Sequence, residues 1–263
     1  MESLSVVIIT YNEEKNIGKC IDSVQGLADE ILVMDSYSAD KTAVIAKEKG
    51  ALLYQHKFEG YGDQKNRAAE LCSSSFVLFL DADEYPGPGL YARILEEKKA
   101  GFPYDAYSMN RLNRYCGQWI RHGSWYPDKK LRLVRKGRGS WNNELVHESL
   151  VAVPGIQPKH LGEDLLHEAY GSIEEHISKN NRYSSLSAKL LFDKGKRTSL
   201  LKILVNPWWA FCSGYILRLG MLDGFNGLVI AVNVAHLTFL KHVKLYRLQQ
   251  SKSPSEGKNS RDL

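Results

Sequence analysis

Short apolar runs alternate with helix-like segments through the first 85 residues, and this alternation restricts the fold more than any other feature. The runs are rich in β-branched residues, and polar turns follow them. The predicted strands are Leu4–Thr10, Glu30–Asp35, Ala51–Gln55 and Phe76–Leu80. Strands that alternate with helices need crossover connections, so the pattern predicts an α/β fold with a mostly parallel, Rossmann-like sheet flanked by helices. The near-continuous apolar strands indicate a sheet covered on both faces.

Helices are predicted between these strands. Asn12 is predicted to cap the first helix, because an Asn side chain can accept a backbone hydrogen bond there. The predicted helices cover residues 13–24, the stretch from Ser38 or Asp40 to Lys49, and residues 63–72. Residues 85–89, which follow the fourth strand and contain two Pro and two Gly, are predicted to form a loop. Further short strands are predicted at Ala106–Asn110, Lys130–Val134 and Leu145–Val151.

Composition excludes several classes of protein. The chain has 263 residues, of which 43% are hydrophobic and 25% charged, and these fractions rule out a disordered or collagen-like chain. None of the four cysteines lies in a C-x-x-C pair, so neither a zinc ribbon nor a disulfide framework is indicated. The N-terminus lacks the pattern of a signal peptide, and a cytoplasmic location is therefore expected.

The C-terminal third is predicted to be helical. Ser172 and Glu175 have the spacing of a capping box at the start of a helix that ends near Phe192. Two stretches without charged residues follow, 203–217 and 224–240, and both are shorter than the roughly 20 residues of a membrane-spanning helix. Because cations follow directly, the pattern favours helices that lie on a membrane surface. The alternative is that these helices simply pack against the rest of the protein.

Charge is unevenly distributed along the chain. Residues 189–263 contain 12 Lys and Arg against 4 Asp and Glu, a net charge of +8, whereas the preceding residues have a net charge of −3. This asymmetry indicates an anionic partner, either a membrane surface or a nucleic acid. The cations alternate with long apolar runs and no nucleic-acid motif is present, so a membrane is expected and a nucleic acid is not.

Polar clusters follow three of the predicted strands, at Thr10-Tyr11-Asn12, Asp35-Ser36 and Asp81-Ala82-Asp83. The carboxyl ends of parallel strands meet at one sheet edge, where ligands of such folds bind. Asp81 and Asp83 can both turn toward one hard cation, and Mg²⁺ or Mn²⁺ prefers such oxygen ligands. The alternative for this pair is a solvated acidic turn. For Lys65, which precedes the fourth strand and could face a diphosphate, the alternative is an exposed helix face.

Four strings in this order and spacing resemble the inverting family 2 glycosyltransferases, which have the GT-A fold and bind a sugar nucleotide. The strings are VVIITYNEEKNI, ILVMDSYSADKT, GYGDQKNRA and FVLFLDADE. Three shorter motifs resemble the branch of bacterial glucosyltransferases that build the lipopolysaccharide core: WYPDKKLRL, VHE and LDG.

The resemblance implies a role for each matching position. Thr10, Tyr11 and Glu13 would line the pocket for the nucleobase and ribose, and Asp35 would accept a hydrogen bond from the base. Lys65 and Arg67 would lie near the nucleotide. Asp81 and Asp83 would form the D-x-D site for Mn²⁺ or Mg²⁺, with Asp83 the more direct ligand.

The resemblance also implies the substrates: a UDP-sugar donor, UDP-glucose at the level of the family, and a glycolipid acceptor such as the lipopolysaccharide inner core. The enzyme would be peripheral on the cytoplasmic face of the inner membrane. Several side chains in the middle of the chain could bind the acceptor. Those that could stack on its sugars or contact its phosphates are Trp119, Trp125, Tyr126, Trp141, Arg111, Arg114, Arg121, Arg132 and Arg135. The alternative is buried packing for the aromatic residues and surface solvation for each arginine.

The catalytic base is predicted to be Glu148, next to His147, with Asp128 as the second candidate. The chain departs from the family here, because many members carry a Glu-Asp pair before a helix, whereas the pair Glu163-Asp164 lies late in a glycine-containing stretch.

The resemblance divides the chain into regions. A GT-A domain is expected over 1–170, with a nucleotide-sugar-binding half at 1–100 and an acceptor-binding half at 101–170. A membrane-associating helical extension is expected over 171–250, followed by a disordered tail at 251–263.

Other functions remain open. A nucleotidylyltransferase on a similar sheet would carry a glycine-rich basic loop after the first strand, where this chain has TYNEEKN. A non-catalytic nucleotide-sugar-binding membrane scaffold would not need the two aspartates. Within the enzyme class, the acceptor could instead be polyprenyl phosphate or another cell-envelope glycan.

Overall fold

The computed structural model describes residues 2–142 and 148–251. The chain divides into two compact units, Met1–Arg121 with Trp125–Ala169, and His122–Ser124 with Tyr170–Leu263. Strands of the first unit are β1 (Leu4–Thr10), β2 (Glu30–Asp35), β3 (Leu52–Gln55), β4 (Phe76–Asp81), β5 (Glu84–Pro86), β6 (Ala106–Tyr115), β7 (Gln118–Trp119), β8 (Asp128–Arg135), β9 (Gly139–Trp141), β10 (Leu150–Ala152) and β11 (Lys159–Tyr170). Its helices are α1 (Ile17–Val24), α2 (Thr42–Glu48), α3 (Tyr61–Leu71) and α4 (Pro88–Lys99).

The first half of the sheet is parallel, in the order β3-β2-β1-β4. Alternation along β1 sends side chains to opposite faces, and both faces are covered. Val6 and Ile8 pack in one apolar core with α1, whereas Val7 and Ile9 pack in a second core with α3. Burial on both faces explains why this strand is apolar at nearly every position.

The sheet continues with antiparallel strands. β8 pairs antiparallel with β4 and with β6, and β11 pairs antiparallel with β5 at the far edge. β9 and β10 form a separate two-stranded hairpin. The predicted α/β class, with helices flanking the sheet and a C-terminal helical extension, is confirmed, and the middle of the chain makes the sheet mixed.

Several predicted boundaries are wrong. The first helix begins at Ile17 instead of residue 13, and Asn12 does not cap it but has a positive φ of 54°. The second helix, by contrast, begins at Thr42 close to its predicted cap Asp40, whose side chain accepts a hydrogen bond of 3.0 Å from the Thr42 backbone N–H. The segment predicted as a loop at 85–89 instead contributes to β5 and to the start of α4, because Pro is well suited to the first turn of a helix.

The second unit contains the remaining helices. They are α5 (Ile173–Asp193), α6 (Leu200–Cys212), a π-helical turn at Ser213–Leu217, a 3₁₀ turn at Gly220–Asp223 and α7 (Gly224–Ser251). The predicted capping box is present, since the Ser172 side chain accepts a hydrogen bond of 3.2 Å from the backbone N–H of Glu175. α7 packs against both α5 and α6.

Within the described residues, two helical segments are long and apolar enough to cross a membrane by length and composition alone. They are Leu200–Leu217 and Gly220–Ser251. In the most apolar 18 residues of each segment, only 11% and 22% respectively are buried. Such low burial separates them from the core helices of soluble proteins. Two predictions fall on undescribed parts of the chain: the tail at 251–263, apart from Ser251, and the first half of the strand predicted at Leu145–Val151.

Candidate active site

Three polar residues lie side by side at the carboxyl edge of the parallel strands. Thr10 at the end of β1 is in register with Asp35 at the end of β2. On the other side of β1, Ile9 is in register with Asp81 at the end of β4. The predicted convergence of the three clusters is therefore present, because the parallel pairing brings the strand ends together.

Two of these side chains are buried at the edge. Asp35 is fully buried and accepts hydrogen bonds from the backbone N–H of Ser38, at 3.1 Å, and from Nε2 of Gln55, at 2.9 Å. The hydroxyl of Thr10 is also buried, and it has no hydrogen-bond partner among the described residues. A buried hydroxyl without a partner is costly, so Thr10 is available to a ligand group.

The loops that follow β1 and β2 are bound to each other. The Asn12 backbone N–H donates to the Ser38 hydroxyl at 2.8 Å, and the Asn12 side-chain oxygen accepts from the Ala39 backbone at 2.8 Å. The Glu13 backbone N–H donates to the Thr42 hydroxyl at 2.8 Å. These bonds explain why α1 begins later than predicted, because Asn12 joins two loops instead of capping that helix.

Two tyrosines stand exposed on these joined loops. Tyr11 is 59% exposed and Tyr37 is 58% exposed. Tyr37 has a positive φ of 62°, a conformation that is uncommon for a residue with a bulky side chain. The Glu13 carboxylate, between them and α1, accepts a hydrogen bond of 2.7 Å from the Asn16 side chain. The structure thus offers aromatic rings beside the polar strand ends.

Asp81 is held by two cations. Its carboxylate lies 2.7 Å from Nζ of Lys65, which is fully buried, and 3.3 Å from the buried guanidinium of Arg132. Burial alone would raise the pKa of Asp81, but the two cations outweigh it and hold that pKa well below its usual range. The Trp141 ring packs against both cations, 4.1 Å from Lys65 Nζ and 5.2 Å from the guanidinium carbon.

Glu84 extends the ionic cluster. Its carboxylate lies 2.7 Å from Arg132 and 3.5 Å from Arg111, and it also accepts from the backbone N–H of Asp81 at 3.2 Å. Burial lowers the pKa of Arg132, but Glu84, Asp81 and Glu148 together raise it. Glu148 therefore lies close enough to Arg132 to interact with its charge. The sequence-based idea that Arg132 contacts an acceptor phosphate is wrong, because its side chain is buried in this cluster.

Asp83 lies beside a histidine that the sequence analysis did not identify. The Asp83 carboxylate is 3.3 Å from Nε2 of His167, whose Nδ1 is 2.7 Å from the Asn113 side-chain oxygen. His167 is brought there by β11, where it pairs with Glu84 of β5. Only a strand prediction over 159–170 could have indicated this position, because His167 and its partner Glu84 are 83 positions apart in the sequence.

The donor set at Asp83 fits a divalent cation. A carboxylate oxygen and an imidazole nitrogen are both ligands of Mn²⁺, and Mg²⁺ or Mn²⁺ commonly takes its remaining ligands from water and substrate phosphates. Asp81 is engaged by Lys65 and Arg132 instead. No group of three or more His, Cys, Asp and Glu side chains in the described ranges is arranged to hold a metal, so protein ligands alone do not complete the coordination.

The two predicted bases have different surroundings. The Asp128 carboxylate lies 2.8 Å from the guanidinium of Arg111 and 3.1 Å from Nζ of Lys130. Glu148 is half-buried, next to β10. His147, its predicted neighbour, lies outside the described residues. Asp164, of the late Glu-Asp pair, accepts a hydrogen bond of 2.9 Å from the Tyr126 hydroxyl.

The remaining predicted residues lie in different surroundings. Lys65 is buried against Asp81, so the alternative of an exposed helix face is wrong for it. Arg67 is exposed and pairs with Glu59 at 3.2 Å, and it is not one of the two cations that pair with Asp81. Trp141 is only 5% exposed and packs edge-on against Phe79, so it serves as packing and not as a sugar platform.

Comparison with known proteins gives a family match over more than half of the chain. The family model described as "Glycosyl transferase family 2" matches residues 5–149. An uncharacterized glycosyltransferase of Rickettsia bellii (strain RML369-C) is 32% identical over 272 residues, covering 100% of this chain and 92% of the relative. The lipopolysaccharide core biosynthesis glycosyltransferase LpsC of Rhizobium meliloti (strain 1021) is 30% identical, covering 93% and 92%.

Solved structures share the fold. The mannosyltransferase PcManGT of Pyrobaculum calidifontis, solved with GDP-Man and Mn²⁺, has a TM-score of 0.55 at 15% identity and covers 93% of this chain and 87% of its own. The glucosyl-3-phosphoglycerate synthase of Mycobacterium tuberculosis, solved with phosphoglyceric acid, has a TM-score of 0.50 at 19% identity and covers 75% and 82%. At these identities the likeness concerns the fold, which is that of GT-A enzymes.

Proposed function

The chain belongs to glycosyl transferase family 2, and from that membership we propose that it transfers glucose from UDP-glucose to a hydroxyl group of a glycolipid of the lipopolysaccharide-core type, with inversion at the anomeric carbon. The observation that carries the proposal is the convergence of Thr10, Asp35 and Asp81 at one sheet edge, with Asp83 beside His167.

The nucleoside end of the donor is assigned to the ends of β1 and β2. The unpartnered Thr10 hydroxyl and the Asp35 carboxylate would meet polar edges of the base and ribose. Tyr11 is exposed enough to stack on the base, and Glu13 lies on the same loop. Arg67, on an exposed face of α3, is the least supported of the proposed nucleotide contacts.

The diphosphate end is assigned to Asp83 and His167, which would hold the divalent cation. A Mn²⁺ or Mg²⁺ ion bound there would supply positive charge against the donor diphosphate. Lys65 and Arg132 act differently, because they are buried and hold the Asp81 carboxylate in a fixed position. Asp81 is thereby kept ionised at the strand end and orients the turn that carries Asp83.

The transfer itself is proposed as a single displacement. The acceptor hydroxyl oxygen forms a bond to the anomeric carbon while the bond from that carbon to the diphosphate oxygen breaks. The proton of the hydroxyl passes to a carboxylate, for which Glu148 is the first candidate. Glu148 is half-buried, whereas the Asp128 carboxylate is already paired with Arg111 and Lys130 and is less free to accept a hydrogen bond from an acceptor hydroxyl.

The acceptor and the location are supported by relatives and by surface character. One relative that aligns over nearly the whole chain is named for lipopolysaccharide core biosynthesis. The exposed apolar helices of the second unit favour attachment to the cytoplasmic face of the inner membrane, where a glycolipid acceptor would lie. Polyprenyl phosphate and other envelope glycans are the alternative acceptors to be tested beside it.

A calorimetric titration tests the donor site. UDP, GDP and dTDP are titrated with and without Mn²⁺ into the wild type, Asp83→Asn and the control Asp22→Asn, whose carboxylate is exposed on α1 and pairs with Lys49. We expect UDP to bind in a Mn²⁺-dependent manner, Asp83→Asn to weaken this binding at least tenfold and Asp22→Asn to leave it unchanged.

The other outcomes are informative. If GDP or dTDP bound more tightly than UDP, the assignment of the donor base would change, and the assignment as a glycosyltransferase would stand. An absence of nucleotide binding under all conditions would overturn the proposal and favour a membrane scaffold. Incubation of UDP-glucose with glycolipid acceptors, followed by NMR of the new linkage, then determines whether the anomeric configuration is inverted.

A further inference from the structure

The outer side of α6 exposes a stripe of large apolar side chains. They recur at positions i, i+4 and i+8 in two adjacent rows, which places them on one face of the helix. Each is at least 51% exposed: Leu200, Leu201, Leu204, Val205, Trp208 and Trp209. Singly scattered apolar residues are normal on a protein surface, but a continuous patch marks an interaction site.

The turn between α6 and α7 continues this exposure. Leu217 is 64% exposed, Leu222 is 61% exposed and Phe225 is 73% exposed. We call this turn, residues 217–225, the hairpin tip, and the α6 stripe together with these three residues the outer apolar surface. α7 extends it with Leu228 and Val232, at 36% and 51% exposed.

The inner side of the hairpin tip is closely packed around glycines. A Cβ placed on Gly227 would lie 1.9 Å from the carbonyl oxygen of Gly220, and one placed on Gly220 would lie 2.7 Å from the carbonyl oxygen of Gly214. The backbone segments therefore approach each other closely, and no side chain larger than hydrogen fits at Gly227. The tip has a defined shape and is not a loose turn.

The hairpin tip is hydrogen-bonded to a segment from the middle of the chain. Asp223, which is buried, accepts a hydrogen bond of 2.8 Å from the His122 backbone N–H, and its other oxygen lies 3.0 Å from the His122 ring. The Gly123 N–H donates to the Arg218 carbonyl at 2.8 Å. Residues 122–124 thus belong to the helical unit, although their chain neighbours Arg121 and Trp125 belong to the first unit.

The opposite end of the hairpin formed by α6 and α7 is also held by hydrogen bonds. Lys244 of α7 donates to the Asn181 carbonyl at 2.9 Å and to the Ser184 hydroxyl at 2.7 Å, and both are on α5. His242 bonds to Asn206 of α6 at 2.9 Å. α5 follows β11 directly along the chain. Both ends of the hairpin are therefore joined, by bonds and by chain connectivity, to segments that continue into the first unit.

These attachments are incompatible with a hairpin that crosses a bilayer. Leu200–Leu217 rises about 27 Å, close to the roughly 30 Å hydrocarbon thickness. If the hairpin tip lay on the far side of the bilayer, the hydrogen-bonded His122 would have to lie there too. The charged Arg121 and the chain connected to it would then have to enter the hydrocarbon. We propose that α6 and α7 lie along one leaflet as a monotopic platform, with the outer apolar surface in the acyl layer.

The charges favour an anionic lipid surface over a protein partner. Four cations without an intervening acid precede or begin α6, and all are exposed: Lys194, Lys196, Arg197 and Lys202. Arg218, at the other end of α6, is also exposed. Exposed cations at both ends of α6 match a helix parallel to a headgroup layer. Trp208 and Trp209 are of the residue type that prefers the boundary between headgroups and acyl chains.

This inference rests on the membrane association in the proposed function, and it specifies how the chain meets the membrane. A depth measurement tests it without any enzyme assay. A fluorophore is attached at Leu204→Cys, near the start of α6, or at Phe225→Cys, in the tip, of the full chain carrying Cys116→Ser and Cys212→Ser, since the other two cysteines are buried. Vesicles contain phosphatidylethanolamine and phosphatidylglycerol with quenchers at graded depths.

We expect both probes to lie at the same shallow depth, about 5–10 Å below the headgroup boundary. A control probe at Asp22→Cys, exposed on the first unit, should not be quenched. A Phe225 probe that lies more than 10 Å deeper than the Leu204 probe, or that is reached by quencher from the vesicle lumen, would overturn the inference. An absence of vesicle binding would also overturn it, while nucleotide titration of the same sample would show whether the donor site survives.

Discussion

The two units distribute polar and apolar side chains in opposite ways. In the first unit two clusters of apolar residues are buried, one on each face of the sheet, and the buried cations Lys65 and Arg132 have carboxylate partners. In the second unit Trp208 and Phe225 are exposed, whereas polar residues such as Asp223 are buried.

The difference indicates two different surroundings. A unit that buries its apolar residues gains its stability in water, because apolar burial is the main favourable term in folding. A unit that leaves apolar residues outside gains the same term only when another apolar phase covers them. This difference is what the proposed contact of the second unit with lipid would require, and the following changes test that contrast.

The largest effect on the site itself, a loss of both folding stability and donor binding, is expected from Lys65→Met in the first unit. This change removes a fully buried ammonium that is 2.7 Å from Asp81 and leaves the carboxylate with one cation fewer. We expect the free energy of unfolding to fall by about 2–4 kcal/mol, somewhat below the usual effect for a buried pair because Asp81 is partly exposed. UDP binding should be lost as well.

Urea unfolding at pH 7 in a mild detergent measures this effect. Lys47→Met is the matched control, because Lys47 is exposed on α2. Its unfolding free energy should change by less than about 0.5 kcal/mol. Equal stability of the two variants would show that the ionic cluster around Asp81 does not hold the sheet edge together.

Glu148→Gln should give the next largest effect, confined to turnover. Loss of the proposed base should lower kcat by about 10²–10⁴-fold, while Mn²⁺-dependent UDP binding stays unchanged. Asp128→Asn should lower kcat less, because Asp128 is engaged by Arg111 and Lys130. Steady-state rates with UDP-glucose and a fixed acceptor measure both, and a larger loss in Asp128→Asn would make Asp128 the better assignment.

Sequence alone predicted the first unit well where local pattern determines structure. Apolar β-branched runs defined β1, β2 and β4, and their parallel pairing put Thr10, Asp35 and Asp81 at one edge. The late start of α1 was not predictable in this way, because the bonds from Asn12 and Glu13 reach residues more than 25 positions away.

The parts of the site that come from distant strands were missed for the same reason. His167 reaches Asp83 only through the pairing of β11 with β5, and Arg132 reaches Asp81 only through β8 beside β4. In the second unit the capping box at Ser172 was predicted from four residues. The tie between His122 and Asp223 was not, because it spans 101 residues and depends on close backbone packing.

A smaller effect, expected in the second unit alone, comes from pH. Burial, with a lesser contribution from Lys179, lowers the pKa of His176 from about 6.5 to about 4. The unfolded chain therefore takes up a proton below pH 6.5 while the folded chain does not, so stability is lost as pH falls from 6.5 toward 4. The loss should be roughly 1–2 kcal/mol at pH 5.

The first unit should not weaken in that window through Asp81. Its pKa is lowered in the folded state, so its contribution is present above the ordinary pKa of an aspartate and is lost only in stronger acid. Hydrogen exchange at pH 7 and pH 5, corrected for intrinsic rates, compares the units. Protection should decrease in α5 and α7, and His176→Gln should abolish the decrease. A parallel loss in β1 and β4 would contradict the contrast.

The smallest effect on folding is expected from Trp208→Ala, and it separates the two kinds of apolar residue most directly. Trp208 is 72% exposed, so its removal should change the free energy of unfolding in water by less than about 0.5 kcal/mol. Phe79→Ala, which removes a buried ring of the first unit, should lower it by about 3–5 kcal/mol. Binding to vesicles should depend on the opposite residue. Trp208→Ala should bind more weakly than the wild type, and folded Phe79→Ala should bind as tightly as the wild type. If Trp208→Ala destabilised the fold as much as Phe79→Ala, the outer apolar surface would be part of a core and not a surface for lipid.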